Sequence, residues 1–572
     1  MDKRIHFAPL FIVISNTPIM SIFIRKPIET LRREAAQDGE SSLKRVLGPM
    51  GLVALGIGVI IGAGLFSVTG IVAAEYSGPA VTISFAIAAM GCAFAGLCYA
   101  EFASMIPVSG SSYTYSYATM GELMAWIIGW DLVLEYTVAC TMVSISWSQY
   151  FTNFLSTIGI HLPASLTACP WDGGIMNIPA ACIVVLLSLL LIRGTRESSI
   201  LNNIIVLLKI AVILTFITLG FFYIRSENYV PYIPENTGVV GEFGWSGIFR
   251  GAAVLFFAFL GFDAVSTAAQ EAKNPKRDMP IGILVSLMLC TVLYILFGHV
   301  MTGVANYRDF AGQEGIAPVA VAIAKMGAAD ATGAITPAYP WLNKGVMLAI
   351  LIGYCSVIIV QLLAQSRIFM TMSRDGLLPP VFSKIHPRFR TPAHNSLIFM
   401  IVIAILALFV PARVAGEMTS IGTLLAFALV CAGVLIVRKT MPDAPRAFRT
   451  PFVPWIPVAG ILTCVTLMIF LPADTWIRLV LWMIIGLDIY SLYGVYHSKI
   501  EGRKQGRKGK MALYILGLCC SGLCVITGFW HQQTVGWNED KTMLIIAVAF
   551  GLFHMGFYAF RMWRHTPDLA HH

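Results

Sequence analysis

Apolar residues along this chain gather into long runs separated by short polar segments, and the runs are of bilayer length. About 17 to 25 apolar residues cross a hydrocarbon core. Fourteen runs qualify, at about 50–73, 78–100, 122–150, 179–192, 201–223, 246–270, 280–304, 345–372, 395–411, 416–438, 453–471, 475–496, 511–530 and 541–561. The fourth is short, and its start lies as far upstream as Ile175 if the apolar character there is included. The pattern predicts an all-α polytopic membrane protein. Two runs depart from a plain spanning helix. Gly56-Ile-Gly-Val-Ile-Ile-Gly-Ala-Gly-Leu-Phe66 carries glycines at 56, 58, 62 and 64, and Phe256-Phe-Ala-Phe-Leu-Gly-Phe-Asp263 places a glycine and an aspartate in mid-run.

Glycine costs about 1 kcal/mol relative to alanine in a helix interior and leaves the main chain open to close approach. The first cluster is therefore either a small-residue face for helix packing or a helix deliberately opened. Opened backbone survives at membrane depth only where protein shields it or a polar cavity receives it. The partner run lies five spans later, and that period decides between the two readings. Paired discontinuous helices in corresponding positions point to an inverted-repeat transporter. Spans 1–5 (residues 50–223) and 6–10 (246–438) then form opposed halves of a 5+5 core broken in helices 1 and 6. Spans 11–12 (453–496), a basic linker (497–510) and spans 13–14 (511–561) lie outside the repeat, between an N-terminal segment (1–49) and a tail (562–572).

Composition supports this picture. The 572 residues are 57% hydrophobic and 12% charged, with mean hydropathy +0.77. The net charge of +9 is a topology signal. With the N-terminus inside, thirty of the 39 Lys and Arg residues fall on the inner side and seven outside, Lys209 and Arg250 being assigned to spans. That asymmetry places both termini in the cytoplasm and provides an attraction for anionic lipid. It is not a nucleic-acid footprint. The moderately apolar stretch Ile5 to Ile24, which follows Lys3 and Arg4, could pass for a signal peptide, but no small-residue cleavage site follows and a charged stretch from Arg25 to Arg45 leads to the first span. Residues 1–19 read as an upstream extension before Met20. Twelve scattered cysteines have no metal-ligand spacing and read as small buried hydrophobes. Cys169 alone falls in an expected loop, where it is a candidate reactive thiol.

Four motifs together carry a family resemblance: the glycine run at 56–66, Phe-Phe-Ala-Phe-Leu-Gly-Phe-Asp-Ala-Val-Ser-Thr at 256–267, Lys-Asn-Pro-Lys-Arg-Asp-Met-Pro at 273–280 and Ser-Arg-Asp-Gly-Leu-Leu-Pro at 373–379. Over about residues 20–500 the chain resembles the amino acid-polyamine-organocation superfamily, and within it the cationic amino acid transporter family of bacterial permeases. The resemblance implies a LeuT-like secondary transporter in the cell membrane. It also implies an amino acid substrate, a proton as partner, and no cofactor or metal. A small membrane-protein partner is not legible in the sequence.

The physical chemistry of the breaks agrees with that implication. Half-helix N-termini offer amides and a positive dipole end to a carboxylate, and broken C-terminal ends offer carbonyls to an ammonium. Gly62, Ala63 and Gly64 are the expected carboxylate cradle, with carbonyls of Ile60, Ile61, Phe256, Phe257 and Phe259 for the ammonium. The resemblance implies that Phe257, Ala258 and Leu260 line the side-chain pocket. Packing alone is the competing reading for the phenylalanines.

Three intramembrane charges stand out. Lys209 lies roughly 12 Å into span 5 at 1.5 Å per residue, where insertion of a charge costs about 2.5–3.5 kcal/mol. An amine held in such a medium gives up its proton readily. In the related proteins a span-5 lysine occupies the place of a sodium ion, so Lys209 is the expected proton-coupling residue; snorkelling to the interface is the alternative. Asp131 and Glu135, four apart in span 3, share one helical face. Glu135 is expected near the substrate or in a structural ion pair. Asp263 reads as a helix-organising group and His299 as a packed residue. No nucleophile-and-base pair, HExxH or phosphate-binding motif occurs, which argues against an enzyme or an ATP-driven pump. An exchanger without proton coupling is the alternative function; a channel or an amino acid sensor fits less well with a five-span repeat.

Overall fold

The computed structural model describes residues 23–31, 47–106, 110–193, 199–269, 272–311, 317–329, 335–387, 389, 391–500, 507–537 and 541–564. The expected extension at 1–19, residues 501–506 of the basic linker and most of the tail lie outside these residues. Where no water can satisfy main-chain groups, helices close their hydrogen bonds within themselves, and the described chain is mostly helix. The longer helices are α1 Pro49–Ile60, α2 Val81–Met105, α3 Glu122–Thr157, α4 Ile178–Ile192, α5 Ser199–Phe221, α6 Gly244–Leu255, α7 Pro275–Val304, α8 Pro340–Arg374, α9 Ala393–Phe409, α10 Ala412–Thr440, α11 Trp455–Phe470, α12 Ala473–Ile489, α13 Arg507–Val535 and α14 Thr542–Arg564. A short antiparallel strand pair, Gly327–Ala329 with Ile335–Pro337, lies before α8.

Each apolar run expected from the sequence overlaps helix. Among the described residues, ten helical runs are long and apolar enough to cross a membrane, the first, Pro49–Met105, taking in both α1 and α2. That stretch is turned at Gly78, whose φ of +59° and contact with Pro234 leave no room for a side chain. Helices α4, α9 and α11 are apolar but only 15, 17 and 16 residues long.

The helices pack around α3, α7, α8 and α10. α3 lies against α8 and α10, α2 against α7, and α4 against α9. α12 is fixed to α3 by indole pairing. Trp130 Nε1 donates to the Trp482 carbonyl (2.8 Å), Trp482 Nε1 to the Trp130 carbonyl (2.9 Å), and the two rings stack at 4.5 Å. Cys169 does not have the exposed setting expected of a reactive thiol. It is buried, its thiol donates to Asp172 Oδ2 at 3.1 Å, and burial pushes it up to about 11.

One buried ion cluster fastens the segment after α10 beneath α2. Glu101 is fully buried and receives the Arg438 guanidinium through both oxygens at 2.9 Å. It pairs with Arg446 at 3.1 Å and accepts the Thr450 amide at 2.8 Å. Taking one charge from such a cluster leaves its partners buried and unbalanced. Glu101→Gln is expected to destabilise the protein by about 3–5 kcal/mol, read as a lowered thermal unfolding temperature in detergent. Unchanged stability would remove this cluster's anchoring role.

Candidate functional site

α1 stops at Ile60. Ile61 turns extended (φ −73°, ψ 101°), and helix resumes at Gly64 as a π-helical turn running into Thr69–Val72. α6 stops in the same manner. After Leu255 a single 3-10 turn covers Phe256–Phe259, Leu260 is extended (φ −58°, ψ 133°), Gly261 takes φ +120°, and helix resumes over Phe262–Thr267. Only glycine adopts the Gly261 geometry at little cost. A Cβ there would also stand 2.6 Å from Val59 Cγ1.

The breaks face one another. A Cβ on Gly64 would overlap the Cα of Ala258 and stand 2.9 Å from its backbone nitrogen, so the two main chains meet here with nothing between them. Gly62 has more room, a Cβ there meeting only a Val357 methyl at 3.4 Å. Ile60, Ile61, Gly62, Ala63, Gly64 and all five residues 256–260 are buried, which makes this an occluded arrangement.

Two side chains satisfy the opened carbonyls. Lys209, 1% exposed on α5, donates through Nζ to the carbonyls of Gly58 (2.7 Å) and Ile61 (2.9 Å). Its stem lies against Gly353 of α8, where a Cβ would stand 2.9 Å from Lys209 Cε. The ammonium therefore does not snorkel to an interface; it bridges the α1 break and α8. Tyr294, on α7, shares its hydroxyl between the carbonyls of Ile60 (2.8 Å) and Ala258 (3.0 Å), one from each break. The sequence offers no signal for Tyr294, because a tyrosine in an apolar run reads as packing.

Of the carbonyls expected to meet an ammonium, Ile60, Ile61 and Phe257 already accept a bond, the last from the Leu260 amide at 3.1 Å. Each retains a second lone pair. The amides of Gly62, Ala63 and Gly64 open a new helical segment, where no preceding turn supplies acceptors. Phe256 packs edge-on against Phe427, and Phe259 against Phe85 and Tyr294, in line with the packing reading for those two rings. Phe257 joins no aromatic pair among the described residues.

The acids divide by role. Asp263 accepts the Gly261 amide (3.1 Å) and the Tyr136 hydroxyl (2.9 Å), which holds the second half of α6 in place. Asp131 and Glu135 are fully buried, and no ion pair reaches either carboxyl among the described residues. They lie against Gly422 of α10. His299 stacks on Tyr229 at 4.8 Å, a packed position. No group of three or more metal-binding side chains occurs among the described residues.

The spacing at Gly64 generates a contrast. Gly64→Ala must push the two breaks apart and is expected to abolish uptake in a folded protein, whereas Gly62→Ala, with ordinary van der Waals room, keeps most of it. Equal uptake by both variants would show that the close approach at Gly64 is not needed.

The amino acid permease family model matches residues 47–489, which takes in both breaks, Lys209 and Tyr294. The chain is 46% identical over 485 residues to the branched-chain amino acid permease BcaP of Bacillus subtilis (strain 168), an alignment covering 84% of this chain and 99% of that protein. It is 43% identical over 483 residues to the methylthioribose transporter of the same organism, with coverage of 84% and 99%. It is 35% identical over 431 residues to vacuolar cationic amino acid transporter 4 of Arabidopsis thaliana, covering 74% of this chain and 68% of that protein. Two facing helix breaks joined through Tyr294, the first of them also held by Lys209, thus sit inside a family match spanning most of the sequence, and this chain belongs to the amino acid permease family of the amino acid-polyamine-organocation superfamily.

Proposed function

We propose that the protein is a secondary active transporter that carries an amino acid across the cell membrane together with a proton, by alternating access around the paired breaks. The carrying observation is the meeting of the two opened main chains at Gly64 and Ala258. The carboxylate is held by the amides of Gly62, Ala63 and Gly64, and the amine by carbonyls of the two breaks. Phe257, Ala258 and Leu260 face the side chain. These are apolar, and the likeness to branched-chain permeases favours an apolar amino acid over a cationic one.

The arrangement proposed is fourteen spans with both termini cytoplasmic, ten of them in two inverted halves. Helix contacts occur in exchanged pairs, which supports this. α1 meets α7 as α6 meets α2, α1 meets α5 as α6 meets α10, and α3 meets α10 as α8 meets α5. A rotation exchanging helices 1–5 with 6–10 produces such a pattern.

Lys209 is the proton-carrying group of this reading. As an ammonium it ties Gly58 and Ile61 to α5 while its stem packs on α8; as a neutral amine it loses the charge assistance of those bonds and holds the α1 break less tightly, so protonation and substrate act on the same backbone. In proteoliposomes one proton per substrate sustains about tenfold accumulation for each unit of pH gradient. Lys209→Ala is expected to lose that accumulation while still exchanging substrate for substrate. Accumulation matching the wild type would contradict the coupling role. An exchanger without coupling predicts no gradient-driven accumulation in either protein. Thermal stabilisation by leucine, isoleucine or valine, and not by lysine or arginine, tests the substrate; the reverse order would overturn it.

A further inference from the structure

Helices α13 and α14 lie beyond the residues that the family model matches, and their attachment to α12 adds buried polar contacts to an apolar cluster that includes Val480, Ile484, Cys524 and Ala547. At its centre is His554 of α14, which is 7% exposed. Its Nε2 stands 2.9 Å from Asp488 Oδ2 of α12, and its Nδ1 stands 2.9 Å from the Phe550 carbonyl. Both partners are oxygens. A neutral imidazole carries a single N–H, so it satisfies one of them and turns a lone pair toward the other. The contact therefore holds one proton more than a neutral ring and a bare carboxylate: either an imidazolium facing a carboxylate, or a neutral ring accepting from a carboxylic acid.

Other titratable groups border the pair. Tyr558 donates to Asp488 Oδ1 at 2.6 Å. Arg561 donates to Ser491 Oγ at 2.8 Å and lies over the ring of Tyr514 on α13; Cys520 of α13 acts on Tyr558.

We propose that Asp488 and His554 form a proton-binding site whose occupancy fastens the C-terminal hairpin to α12, beside the π-helical turn Tyr490–Gly494. When the proton leaves, the ring and carboxyl lose their charge-assisted bond and a neutral ring satisfies only one of the two oxygens, so the hairpin loosens. The fastening is complete at lower pH and is lost as pH rises. α12 is tied to α3 through Trp130, Trp482 and the bond from Trp126 Nε1 to the Gly486 carbonyl at 2.9 Å, so the state of the hairpin bears on a wall of the transport core.

Hydrogen exchange of the full-length protein in nanodiscs, measured near about pH 6 and about pH 8.5 and normalised to peptides of α7, tests this. Peptides from Thr542–Arg564 are expected to exchange at least about threefold faster, relative to α7, at the higher pH. His554→Gln should abolish that difference. Asp488→Asn, which keeps the shape of the carboxyl, should abolish it as well and serves if the histidine variant does not fold. A wild-type protein with no such difference, or variants that keep it, would overturn the proposal.

Discussion

Hydrocarbon supplies no partner for an open main-chain carbonyl, and two helices of this protein are opened in the middle of their spans. Everything around the site answers that constraint. The Lys209 ammonium takes the carbonyls of Gly58 and Ile61, and the Tyr294 hydroxyl takes one carbonyl from each break. An unsatisfied buried carbonyl costs about 1–3 kcal/mol, so these two side chains make the opened backbone tolerable. They also give the breaks a mechanical link to α5 and α7.

The same economy explains the glycines. Gly64 is needed because the main chain of Ala258 occupies the space a side chain would take, and Gly261 because its φ of +120° excludes other residues at low cost. Gly64 answers a close approach of two backbones and Gly261 its own main-chain conformation; neither is there for flexibility. Asp263 completes the geometry by receiving the Gly261 amide and anchoring it to Tyr136 of α3.

How much of this was legible in the sequence depends on whether a residue breaks a pattern. Glycines within an apolar run, a lysine among isoleucines and leucines, and the recurrence of a break after five spans each violate the chemistry of a lipid-facing helix, and each led to the site. Tyr294 violates nothing, since an aromatic residue in a spanning helix is ordinary, and only the fold brings its hydroxyl to the two carbonyls. Glu101 was hidden for the opposite reason: its partners Arg438 and Arg446 lie more than 330 residues away, and no local spacing connects them. Cys169 looked exposed because loops usually are, but the turn around Asp172 covers it. His554 breaks no local pattern, and only the packing of α14 on α12 brings Asp488 to it.

The central claim is that main-chain atoms of the two breaks bind both ends of an amino acid. A cryo-electron microscopy structure of the protein with a stabilising amino acid bound tests it most directly. The account predicts the carboxylate within about 3 Å of the amides of Gly62, Ala63 and Gly64, and the amine within about 3 Å of carbonyls at 60–61 and 256–259. A ligand seated away from both breaks, or one whose carboxylate is held by Lys209 in place of the glycine amides, would contradict it.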